Sequence, residues 1–88
     1  MDNELRRFMP LTLDTRDIKD IPKCISCMIT HTGLLGVLTV SNELLSGDKV
    51  AFQMSVGETI SLTDGQIKNS IITVACDADS TARVIYWI

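Results

Sequence analysis

The stretch Lys49-Val50-Ala51-Phe52-Gln53-Met54-Ser55-Val56 alternates apolar and mostly polar residues without a break. A period of two sets Val50, Phe52, Met54 and Val56 on one face of a strand, over a core. It sets Lys49, Ala51, Gln53 and Ser55 on the outer face. Working outward, further candidate strands are 24–30 (CISCMIT), 34–40 (LLGVLTV), 59–63 (TISLT), 69–76 (NSIITVAC) and 82–88 (ARVIYWI). Several are dominated by β-branched and aromatic residues, which suit a pleated, half-buried surface. Between them lie the turn compositions SGD (46–48), VGE (56–58), TDG (63–65) and DADS (77–80). VGE is short enough to predict an antiparallel hairpin of 49–56 with 59–63.

Turn signals about every 8–12 residues predict an antiparallel sandwich or barrel. A parallel βαβ sheet is excluded, because no helix long enough to cross between parallel strands is present. Helix is expected only at 2–8, before Pro10 interrupts, and as a single turn at 41–46 capped by Ser41 or Asn42. The fold expected is all-β, a small antiparallel β-barrel of roughly five to seven strands with little helix. It forms one domain over residues 1–88.

A chain of 88 residues, 45% of them hydrophobic, supports a modest core. Folding buries about 60–65% of the surface exposed by a chain of this size. The net charge of −3 argues against a nucleic-acid polymer as partner, which needs a basic face, and against an anionic membrane surface. No apolar run approaches the length of a membrane-spanning helix, and the charged start MDNELRRFMP has no secretory apolar stretch. Three cysteines, an odd number, fit a reduced cytoplasmic protein better than a disulfide framework.

Cys24-x-x-Cys27-x-x-x-His31, with Cys76, has the donor types of a Cys3His zinc site. A strand through CISC would turn residues three apart to opposite faces, so small buried cysteines are expected instead. His31 is expected to be a solvated turn residue, and no nucleophile elbow accompanies it, so the chain is not expected to be an enzyme. Arg6 and Arg7 form the only adjacent basic pair; two guanidiniums could clamp phosphate, but on residue type a solvated pair near the terminus is the expectation. Met28 and Met54 are expected in the core. Tyr86 and Trp87 take opposite faces of the last strand, which, if left as an open edge, would invite a second copy to pair.

The order of these features resembles a PilZ domain, the β-barrel family known as receptors for cyclic di-GMP. ELRRFMPLTLD is similar to the family's arginine-rich opening, which carries an RxxxR motif. MITHTGLLGVLTV falls where the family runs from a strand into D/N-x-S-x-x-G and on to another strand. LLSGDKVAFQMSV and the closing strands follow in the family's order. The resemblance implies that arginines of the first motif hold guanine and phosphate, with the second motif on the ligand's other side.

Little of that ligand set is present. Counting from Arg7 the second arginine falls on Leu11, and from Arg6 on Pro10. His31 stands at the acidic or amide position, Gly33 at the serine position, and Gly36 alone matches. Each charge-assisted bond lost is worth about 1.5–3 kcal/mol. The resemblance therefore implies an adaptor that acts through a protein partner and binds cyclic di-GMP weakly or not at all. Two alternatives are a divergent receptor using Arg6, Arg7, Lys19 and His31, and an unrelated small β-barrel serving as an oligomerisation module. Gly36 is expected where a strand bends or approaches another backbone closely.

Overall fold

The computed structural model describes residues 7–67 and 69–88. Among the described residues, eight strands and one helical turn run in the order β1 (Phe8–Leu13), β2 (Ile18–Asp20), β3 (Ser26–His31), β4 (Leu38–Leu44), β5 (Lys49–Met54), β6 (Thr59–Leu62), α1 (Asp64–Ile67), β7 (Ser70–Cys76) and β8 (Ala82–Trp87). They form two four-stranded sheets, β1-β8-β3-β6 and β2-β7-β4-β5. Every pairing is antiparallel. The all-β antiparallel class is as the alternation requires, but the sheets do not close into a barrel, and eight strands replace the five to seven expected. Closure would need β1 to bond β2 and β5 to bond β6, and in each case a short turn carries the chain into the other sheet.

The core lies between the sheets. Leu13, Cys27, Ile29 and Val84 from one face Leu38, Val40, Ile72 and Val74 from the other, all at most 2% exposed. Period-two alternation is visible in β3, whose alternate residues are buried and half-buried, and in β7, where Ile72, Val74 and Cys76 are buried and Thr73 and Ala75 half-buried. Met54 is buried as expected, whereas Met28 is only half-buried.

Four expectations about elements are corrected. The VGE connection is a sheet-crossing turn, with Glu58 N–H bonding Ser55 O and Gly57 at φ +84°, so β5 pairs with β4 and β6 with β3. Residues 41–44 are strand, because Ser41, Asn42 and Glu43 pair with both β5 and β7 and those ladders outweigh a capping preference. Residues 34–37 are loop, with Leu34 and Leu35 exposed. Pro10 does not end a helix but sits inside β1, an edge strand, where a missing N–H is tolerated. Of the expected helix at 2–8, residues 2–6 lie outside the described residues and Phe8 begins β1.

β8 lies between β1 and β3, bonded on both sides, so residues 82–88 offer no open edge for a second copy. Tyr86 packs against the core and Trp87 lies against the Phe8 ring with centroids 6.3 Å apart. Among the described residues no helix is long and apolar enough to cross a membrane.

Candidate functional site

Four connections meet at one end of the sandwich: 14–17, 32–37, 55–58 and 77–81. His31 closes β3 there and is buried, not solvated as expected. Its Nδ1 accepts the Gly33 N–H at 3.1 Å, which requires a lone pair on that nitrogen. The proton therefore sits on Nε2, which donates to the Gly36 carbonyl at 3.0 Å. Both ring nitrogens are spent on backbone, and none is left to serve as base for a thiol or hydroxyl.

Gly36 adopts φ +87° against the β7–β8 turn. A Cβ there would lie 2.5 Å from Asp77 Oδ1, 2.7 Å from Ser80 N and 2.9 Å from the Asp79 carbonyl carbon. Only glycine meets both the dihedral and the contact. This is the close backbone approach expected of that position.

Asp77 ties the β7–β8 turn to the β3–β4 loop at this corner. Its Oδ2 accepts the Val37 N–H at 2.8 Å, and its Oδ1 accepts those of Asp79 at 2.9 Å and Ser80 at 2.8 Å. Chiefly the Val37 N–H, then that of Asp79 with further help from Ser80, holds the carboxyl at about 2, below its ordinary 3.8. The buried Ser80 hydroxyl accepts the Asp77 N–H and donates to the Val37 carbonyl. Donors and acceptors of the corner are thus matched to one another.

The cysteines divide between the two ends. Cys24 precedes β3, so the opposite-face argument does not apply to it, and it lies beside Cys27. Burial above all, then the charge and hydrogen bond of Cys24, pushes Cys27 up to about 12. Burial likewise raises Cys76, partly offset by its contact with the Ser80 hydroxyl. Thiols raised in this way are poor nucleophiles. His31 lies at the far end of β3 from Cys24, and among the described residues no three His, Cys, Asp or Glu side chains gather to hold a metal ion.

Arg7 is not brought to the bend. Its carbonyl accepts the Ile88 N–H, beside the Phe8–Trp87 pair, while His31 lies opposite Ala82. From Ala82 to Trp87 the strand advances ~17 Å, at about 3.4 Å per residue. Arg7 and the pair His31–Gly36 therefore occupy opposite ends of one sheet. Lys19 bonds the Thr12 carbonyl through Nζ, and Arg6 lies outside the described residues.

The end opposite the corner is apolar and open. On the inner face of its sheet, β5 presents Met54, Phe52 and Val50 in turn, and exposure climbs from 1% through 42% to 62%. The physical reason is that β6, the edge of the other sheet, ends at Leu62. A cleft of about 390 Å³ remains, lined by Val40, Leu44, Val50, Phe52, Leu62 and Ile72. A second of about 590 Å³, between Ile21, Cys24, Leu45, Ile67 and Ile71, shares Ile72 with it. Leu45, at 81% exposed, and Ile71 extend the apolar surface. Sequence reading missed this site because it assigned the Val50–Phe52 face to the core. The warning sign was the run Leu44-Leu45 beside a turn. No protein-family model, curated protein or solved structure matches the chain.

Proposed function

We propose that this chain is a non-enzymatic interaction module that works through protein contacts and binds cyclic di-GMP weakly or not at all. One contrast carries the reading. At the 31–36 corner the polar groups are consumed by each other, whereas at the other end large apolar side chains stand open around two clefts. Exposed apolar patches of this kind mark surfaces that bind a partner or a ligand.

The ordered resemblance to PilZ domains supports a regulatory adaptor role in signalling, and three free thiols support a cytoplasmic setting. The receptor alternative needs arginines beside the bend, and the position of Arg7 speaks against it. Calorimetric titration with cyclic di-GMP is expected to give no saturable heat. Micromolar or tighter binding that vanishes in Arg7→Ala would contradict the reading.

A further inference from the structure

Among the described residues the two sheets leave four edges, and three of them are blunted. β1 carries Pro10 in its middle. β2 is three residues long and two of these, Lys19 and Asp20, are charged. β6 has only four residues. β5 differs. It has six residues, no proline and one charge, Lys49, at its end. Among the described residues no strand lies on its outer side, and Val50 and Phe52 stand exposed along its inner face. Long apolar edges without a proline or a central charge are templates for strand addition.

We propose that β5 is a self-association edge. Two copies pair β5 against β5, antiparallel about a two-fold axis at Phe52, and join their β2-β7-β4-β5 sheets into one continuous sheet. An antiparallel strand pair of identical sequence closes under two-fold symmetry, so the association stops at the dimer. This deepens the reading of the chain as a protein-contact module and rests on it.

Charge selects the register. With Phe52 on the axis, Val50 faces Met54 of the partner subunit and Lys49 faces Ser55 of the partner subunit. The N–H of Ser55 holds the Glu58 carboxylate within its own turn, so each Lys49 ammonium arrives at an anion, twice per dimer. Moving the axis to Ala51 sets Asp48 against Met54 of the partner subunit. Moving it to Gln53 sets Asp48 against Glu58 of the partner subunit, a like-charge pair that antiparallel neighbours penalise. Apolar residues face one another in all three registers; the Phe52 register adds the meeting of Lys49 with the anion of the turn, and it covers the exposed Val50 and Phe52 side chains.

Sedimentation equilibrium from micromolar to millimolar chain tests this. The mass is expected to rise from 9.7 kDa to twice that value. Val50→Lys is expected to hold it at the monomer value. Lys49→Gln and Glu58→Gln, each alone, are expected to weaken the dimer by up to about tenfold, and the two together no further than either alone. All three positions are exposed, and circular dichroism checks that each variant keeps its strands. A mass of 9.7 kDa at every concentration overturns the proposal and leaves β5 to an extended segment of another protein. A dimer indifferent to these substitutions overturns it as well. Neither result bears on the nucleotide titration, so the two readings fail separately.

Discussion

Gly36 and Asp77 meet so closely that a Cβ on the first would sit 2.5 Å from Oδ1 of the second. That contact, with the His31 ring bonded to the Gly36 carbonyl, makes the 31–36 bend a structural corner that ties the β3–β4 loop to the β7–β8 turn.

Gly36→Ala is expected to cost about 2–4 kcal/mol, combining a strained positive φ with an overlap against the Asp77 and Ser80 turn. Urea unfolding measures it. In an Asp77→Ala background part of the overlap is gone, so the same substitution should cost less. Equal costs in the two backgrounds would show that the corner does not couple these residues.

His31→Phe keeps an aromatic ring in a buried place but leaves the Gly33 N–H and Gly36 carbonyl without their partner. Two unsatisfied backbone groups should lower stability by about 2–4 kcal/mol. A solvated turn histidine would tolerate the change with no shift in the unfolding midpoint.

Acid should loosen the corner in a defined window. Folding lowers the Asp77 carboxyl from 3.8 to about 2, so folding favours its ionised form. The stabilisation is complete above the ordinary value and is lost as pH falls from near 4 through about 2. Thermal melts of the wild type and Asp77→Asn should therefore differ near neutrality and converge near pH 2. A gap of constant size across that range would assign the effect to something other than the carboxylate.

Thiol reactivity should separate the three cysteines. Cys24 is half-exposed, whereas Cys27 and Cys76 are buried and all three are raised by burial. Ellman's reagent on the native protein should modify Cys24 slowly and reach the other two only in denaturant. Rapid reaction at Cys27 would contradict the packing of β3.

Strands whose alternation comes from one buried face were legible. β3, β7 and β8 lie within a residue or two of their expected limits, because an apolar period of two matches a strand with one face on a core and does not match the 3.6-residue turn of a helix. β1 was hidden by Pro10, which ends a helix or a central strand but is tolerated on an edge. β2 is too short to carry a period. Leu34 and Leu35 imitated a strand from an exposed loop, since local hydropathy does not report burial.

The corner was half legible. Gly36 was expected at a close approach, but its neighbours Asp77 and Ser80 arrive through tertiary structure and leave no trace near position 36. His31 was misread for the same reason, because both its partners are backbone groups that nearly every residue carries. The open apolar end was read as core, because alternation names the face a residue points to and not whether an opposing sheet reaches that far.

Amide shift mapping in labelled protein tests the central claim most directly, that this chain works through its β5 surface and not through the 31–36 corner. Dilution from millimolar to micromolar should move the amide signals of residues 49–56 and leave those of 31–37 in place. Cyclic di-GMP should move neither set. Saturable shifts at 31–37 on adding the nucleotide, with 49–56 unchanged by dilution, would contradict the account.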